Sequence, residues 1–245
     1  MVYQEVFIAS LIFIVAMLYA SVGHGGASGY IALLSLFTIN ILEIKFTALV
    51  LNIIVSGVSF YNYYRLGFFK WKLFYPFIIL SIPMAYFRAT ISVDSGLYKK
   101  ILGVCIILSV LRILGFFGNA NSETTNKSPF FLSVIIGGCI GFLSGLIGIG
   151  GGIILGPVIL LFNWASLKET NAVTALFIFL NSIAAILGLV SIDIPSSSHL
   201  MLWIIFALVG GAIGSFWGSK KAINSKLKYT LAIVLLIASL KLIFI

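Results

Sequence analysis

Apolar residues run unbroken through most of this chain, and glycine rather than charge interrupts them. The first run covers about Val6 to Val22 and closes in Ser21-Val22-Gly23-His24-Gly25-Gly26-Ala27-Ser28-Gly29. A short apolar piece, about Ser28 to Ile39, follows it. Runs of about Ile44 to Tyr64, Trp71 to Phe87 and Leu97 to Phe116 come next. After one polar stretch the plan repeats. A run from about Phe130 to Ile147 meets Ser144-Gly145-Leu146-Ile147-Gly148-Ile149-Gly150-Gly151-Gly152, and a short piece from about Ile153 to Phe162 follows. The remaining runs are about Glu169 to Val190, His199 to Trp217 and Leu227 to Phe244. The long runs match helices that cross roughly 30 Å of hydrocarbon, and the short pieces reach about half of it. Continuous runs exclude the alternation of a membrane β-barrel. The pattern predicts an all-α, polytopic transmembrane helical bundle.

The polar stretch Gly118-Asn119-Ala120-Asn121-Ser122-Glu123-Thr124-Thr125-Asn126-Lys127-Ser128-Pro129 reads as a linker. It divides the chain into a first transmembrane repeat, residues 1–117, and a second, residues 130–245, with 118–129 between them. Laid on each other, Gly23, Gly25 and Gly26 fall on Gly148, Gly150 and Gly151. Asn52 falls on Asn181, Ala85-Tyr86-Phe87 on Gly214-Ser215-Phe216, and Arg112 on Lys241. Internal repeats with interrupted segments in matching places point to a transporter site. Two topologies satisfy the basic residues. If each glycine break is a hairpin, the repeats are inverted, and Arg65, Lys70, Lys72, Arg112, Lys127, Lys168, Lys220, Lys221, Lys226 and Lys228 share one side. If each break is a kink, the repeats are parallel and the split is weaker. The hairpin form is preferred, and both forms place Lys220 to Lys228 in the cytoplasm and both termini outside.

Composition agrees with a membrane class. The 245 residues are 61% hydrophobic and 9% charged, with mean hydropathy +1.21, whereas soluble domains carry about 25% charge. The net charge of +9 resides in short loops, as topology signals and headgroup partners do, so nucleic acid is not an expected partner. The start, Met1-Val2-Tyr3-Gln4-Glu5, is a poor signal-peptide n-region, so the first run is expected to stay attached. Cys105 and Cys139 lie inside apolar runs. With only two histidines in the chain, no metal set forms, and no cofactor is expected.

Unwinding a helix in lipid leaves amides and carbonyls without partners, at several kcal/mol each. That cost is tolerable where the groups line a cavity or bind a ligand. A helix that restarts after a break points its free N–H groups back at it, which suits an oxyanion, and glycine lets the backbone approach. Gly137, Gly141 and Gly145, and Gly210, Gly214 and Gly218, instead form the ladders of close helix packing.

Gly148-Ile149-Gly150-Gly151-Gly152, then Gly156-Pro157, then Ala172-Val173-Thr174 with Asn181, resembles the TauE/SafE family of sulfite and organosulfonate exporters. The first half resembles the same pattern through Gly23-His24-Gly25-Gly26 with Thr47 and Asn52. Ala27 replaces the third glycine of the run, and Ala32 stands where the second half has Pro157. The resemblance covers nearly the whole chain. It implies a bacterial-type inner-membrane transporter of a small sulfur-containing anion such as sulfite or a sulfonate, with no metal or organic cofactor.

The candidate substrate-binding residues are therefore Gly23, His24, Gly25, Gly26, Ser28, Thr47, Asn52, Gly148, Gly150, Gly151, Gly152, Thr174 and Asn181. Ser21 and Ser144 stand just before the breaks. Asparagine and threonine can donate to an anion or bond between helices. His24 could carry a coupled proton or act as a neutral hydrogen-bonding residue. His199 is read as interfacial, and Arg88 and Arg112 as snorkelling or vestibule cations. No acidic residue lies deep in an apolar run, which argues against a cation carrier. Alternatives are a carrier or channel for another small anion such as a carboxylate, an assembly subunit, and a rhomboid-like serine protease suggested by Gly26-Ala27-Ser28-Gly29. The protease reading needs a base within reach of Ser28. The oligomeric state, monomer or homo-oligomer, is left open.

Overall fold

The computed structural model describes residues 2–37, 40–91, 126–190 and 200–220, with scattered positions from 96 to 114 and from 233 to 240. Among them lie eight helices and no strand: α1 (Val2–Ala20), α2 (Ala27–Leu34), α3 (Ile41–Arg65), α4 (Trp71–Ala89), α5 (Phe130–Ile147), α6 (Gly152–Leu161), α7 (Leu167–Val190) and α8 (Leu200–Lys220). The described residues are all-helical in their regular structure, as the runs predict. Residues 42–65, Phe130–Ile147, Leu167–Val190 and Leu200–Lys220 are long and apolar enough to cross a membrane. The Arg112 and Lys241 correspondence, Cys105, His199 and linker residues 118–125 lie outside the described residues.

Local signals set several helix boundaries. Asn40 caps α3, its Oδ1 accepting from Leu42 N at 2.9 Å. Before α7, Ser166 N donates to Glu169 Oε2 at 2.9 Å, the reciprocal half of a capping box. Glu169 also pairs with Lys70 Nζ at 2.7 Å, which ties the start of α7 to the start of α4. The short piece after the first break is tighter than its apolar pattern suggested, ending at Leu34 rather than near Ile39. Past Leu34 the chain makes turns, Leu36 N donating to Leu33 O and Phe37 N to Leu34 O, both at 3.1 Å.

The two glycine ladders are packing seams. Cβ atoms at Gly137, Gly141 and Gly145 would collide with the backbone of Phe77, Ser81 and Ala85. Those at Gly210, Gly214 and Gly218 would collide with Phe13, Met17 and Ser21. Both members of each seam advance by four residues, so α4 and α5 run parallel, as do α1 and α8. Gly211 beside Val55 and Ser215 beside Asn62 set α8 parallel to α3. Ser81 on Asn181 and Tyr86 at Gly188 set α7 parallel to α4. Hence α1, α3 and α8 point one way, and α4, α5 and α7 the other. Each short helix opens beside the middle of the long helix after it and is joined by a short loop to that helix's start. Both glycine breaks therefore turn the chain back on itself.

These directions bring Arg65, Lys70, Lys72, Lys127, Lys168 and Lys220 to one end of the bundle. Tyr61, Tyr64, Trp71 and Trp217 are exposed near that end, as aromatic residues are at a membrane interface. The sides expose apolar residues, with Phe131 81% and Met201 70% exposed, while Asn52, Asn181, Thr47, Thr174, Ser56 and Ser182 are wholly buried. Oily outside and polar inside is the distribution that a hydrocarbon solvent selects.

Candidate functional site

The two breaks have matching ends. α1 stops in a left-handed Gly23 (φ 70°), with Gly23 N donating to Ala20 O at 3.1 Å and His24 N to Tyr19 O at 2.9 Å. That pair of bonds is a Schellman cap. α5 stops in a left-handed Gly148 (φ 83°), whose amide donates to Ser144 O at 2.8 Å, the simpler form of the same cap. Gly26 (φ 94°) and Gly151 (φ 76°) then open α2 and α6 in the same left-handed conformation. A residue with a Cβ is strained at each of these four positions. The pairs Gly23 with Gly148 and Gly26 with Gly151 are the ones that the sequence lays on each other.

The middle of α3 joins the two breaks. Asn52 Oδ1 accepts from Ala27 N at 3.2 Å, on the first break. Its Nδ2 donates to Ser182 Oγ at 2.9 Å and lies 3.5 Å from Ile149 O, on the second. A Cβ on Gly25 would fall on Asn52 Oδ1, and one on Gly150 would come within 2.5 Å of Asn52 Nδ2. The breaks also touch directly, with His24 Nε2 3.2 Å from Gly152 O. The other ring nitrogen, Nδ1, lies 2.9 Å from Val22 O.

From Asn52 the breaks extend in opposite directions along α3. Toward its C-terminal end the first break is held by Tyr63 OH, which donates to Ser21 O at 2.8 Å, and by Ser59 Oγ, which donates to Ala20 O at 3.3 Å. Toward its N-terminal end the second break is held by Lys45, whose Nζ donates to Leu146 O at 3.1 Å and whose stem covers Gly148. The stretch from Lys45 to Tyr63 is about 27 Å of helix at 1.5 Å per residue. The two breaks and the helix ends that flank them thus border one face of α3 over nearly the thickness of a bilayer's apolar core.

The other expected residues divide. Thr174 faces the first break, its Oγ1 3.4 Å from Gly23 O and 2.9 Å from Thr170 O. Ser28 Oγ lies 2.9 Å from Tyr19 OH. Thr47 and Ser144 are buried, and their hydroxyls meet no partner among the described residues. Asn181 bonds elsewhere: Oδ1 accepts from Ser81 Oγ at 2.6 Å and Nδ2 donates to Phe177 O at 2.9 Å. It braces α7 against α4, whereas Asn52 spans the breaks.

A family model described as sulfite exporter TauE/SafE matches residues 8–242. The chain belongs to the TauE/SafE family. A relative from Sinorhizobium fredii, named a probable membrane transporter protein, is 34% identical over 98% of this chain and 99% of its own. A second from Methanocaldococcus jannaschii, also named a probable membrane transporter protein, is 28% identical over 58% of this chain and 54% of its own. No solved structure matches. This TauE/SafE protein is accordingly a multi-pass membrane transporter.

Three residues at its breaks escape a sequence reading. Ser182 completes the bonds of Asn52. Asn171, with its amide nitrogen turned to the break, donates to Val22 O at 3.0 Å. Lys45 is 8% exposed despite its charge. Their signal is position: Lys45 stands two turns before Asn52 on one helix face, and Asn171 one turn before Thr174.

Proposed function

We propose that this protein carries a small sulfur-containing oxyanion, sulfite or an organosulfonate, along α3, with the anion held between the two breaks. The observation that carries this reading is their end-to-end placement on α3, meeting at Asn52. In lipid each unpaired backbone group costs several kcal/mol, so two adjoining breaks in helical backbone need a compensating role. Among the described residues, the amides of Gly25, Gly26, Gly150 and Gly151 meet no acceptor. Fixed amide dipoles of this kind suit an anion without introducing a formal charge. The family's description supports the sulfur chemistry.

The reversed directions of α1 and α5 support an inverted pair of halves, the construction in which one half rocks against the other to alternate access. His24, on the first break and against Gly152 of the second, would be the residue to carry a coupled proton between the halves.

Counterflow in proteoliposomes tests the reading. Liposomes loaded with sulfite should accumulate labelled sulfite or taurine, and should ignore acetate and succinate. Accumulation of carboxylates alone overturns the sulfur assignment, and fast flux that does not saturate overturns the carrier.

A further inference from the structure

Two cations lie buried at the end of the bundle opposite the basic rim. Lys45, near the start of α3, and Arg88, at the end of α4, are each 8% exposed. Lys45 Nζ donates to Leu146 O at 3.1 Å, and Arg88 Nη1 donates to Ile91 O at 2.8 Å. Among the described residues neither meets a carboxylate, and the remaining N–H groups of both meet no acceptor. The guanidinium also stacks 5.4 Å from the centre of the Phe142 ring on α5. Phe142 and Leu146 stand one turn apart on α5, which makes the two cations neighbours along that helix.

Headgroup snorkelling explains neither side chain. A snorkelling cation reaches out to water, whereas the Lys45 ammonium rests on Leu146 O and the Arg88 guanidinium lies against Phe142 and Ile91 O, with both side chains covered. Burying one cation costs several kcal/mol even after relaxation, and burying two together adds their repulsion. A negative guest removes both penalties. The carbonyl ends of α5 and α4 offer Lys45 and Arg88 only a small compensation. The matching position in the second half holds the neutral Thr174, so the charge is not demanded by the break geometry itself.

We infer that Lys45 and Arg88 form a second oxyanion site, a mouth through which the substrate passes on its way to or from the second break. The inference rests on the transport reading above. The ligand it fits is a small oxyanion with several acceptor oxygens on one centre: sulfite, sulfate, or the phosphate of a lipid headgroup. Lys45 supplies the fixed charge and marks the lip of the break, since its stem lies on Gly148. Arg88 supplies the second set of donors from α4. An anion leaving this pair has the Gly150 amide and Asn52 as its next donors along α3.

The test uses full-length protein in detergent and in proteoliposomes, with K45Q, K45R and R88Q beside the parent. In detergent, sulfate should raise the melting temperature of the parent. The half-saturating concentration should rise about tenfold in K45Q and R88Q and stay within about threefold in K45R. In proteoliposomes, K45Q should raise the KM for sulfite about tenfold, and K45R should keep it near the parent value. Superimposable sulfate curves for parent, K45Q and R88Q overturn the site. Stabilisation by phosphatidylglycerol but not by sulfate overturns a mouth for free anions and assigns the pair to lipid. If K45Q does not fold, R88Q decides by the same curves. A parent that binds sulfate through Lys45 yet moves no oxyanion refutes the transport reading and leaves the site standing.

Discussion

The two breaks reach the same backbone ends by the same means and differ in what fills their middles. Gly23 and Gly148 close the preceding helices, Gly26 and Gly151 open the next, and all four are left-handed. Between them the second break uses a third left-handed glycine, Gly150 (φ 72°). The first break has Gly25 there, which is not left-handed. Its demand is steric, because a Cβ would land on Asn52 Oδ1. The flanking side chains differ too. The first break faces Thr174, Asn171 and Tyr63, all neutral, and the second faces Lys45. Backbone conformation thus sets where each helix stops and restarts, and side chains give the two openings different chemistry.

Substitutions at the two middle glycines should have the largest effects and separate the two causes. Gly150→Val should abolish transport with the protein still reaching the membrane, because the backbone is strained and the Cβ meets Asn52, Ile178 and Ser182 within 2.5–2.9 Å. Gly25→Ala should also stop transport, but Asn52→Ala in the same chain should recover part of its thermal stability by removing Oδ1, the remainder being lost to the stranded Ala27 amide and to the Asn52 carbonyl 2.9 Å from the new Cβ. The same second change should not recover Gly150→Ala, where positive φ remains. Equal recovery at both positions, measured as melting temperature, would erase the distinction.

The asparagines come next. Asn52→Leu should reduce sulfite counterflow about 100-fold, since it strands the Ala27 amide and Ser182 and removes the joint between the breaks; each stranded buried group costs about 1–3 kcal/mol. Asn181→Leu strands Ser81 and should lower stability by about 1–2 kcal/mol while leaving counterflow within about threefold. Comparable transport loss at both positions would restore the symmetric role that the sequence suggests.

The smallest effects sharpen the comparison from outside. Thr174→Val removes one weak interhelical bond, worth about 0.6 kcal/mol, and should leave transport within about threefold. Gly67→Ala, at a left-handed loop position with open space around it (φ 76°), should cost about 1–2 kcal/mol of stability and nothing in KM. A KM change at Gly67 would mean that backbone strain anywhere in the chain mimics a site effect.

These contrasts show what the sequence could and could not carry. The helices and the places of the two breaks were legible because near-consecutive glycines in an apolar run stop a helix, whereas glycines spaced by four do not. The packing of Gly137 to Gly145 was legible from spacing alone. The unequal partners of Asn52 and Asn181 were not, because side-chain pairing depends on which helix of the other half arrives beside each. Ser81 has no polar counterpart at the matching Gly210. Lys45 was missed for a related reason. A lysine near the start of a run reads as a topology signal until α4 and α5 are seen to bury it. The short helix α2 was expected to run farther, and the turns that stop it leave no glycine or proline as a marker.

The central claim is that an anion sits against the amides at the meeting of the two breaks. Selenite, once shown to compete with sulfite in counterflow, carries a selenium atom that anomalous diffraction locates without ambiguity. Crystals grown with selenite should show a selenium peak within hydrogen-bond reach of the amides of Gly25 or Gly26 and of Gly150 or Gly151. Selenium absent from that place at saturating, transport-competent concentration, with both breaks closed on Asn52, would contradict it.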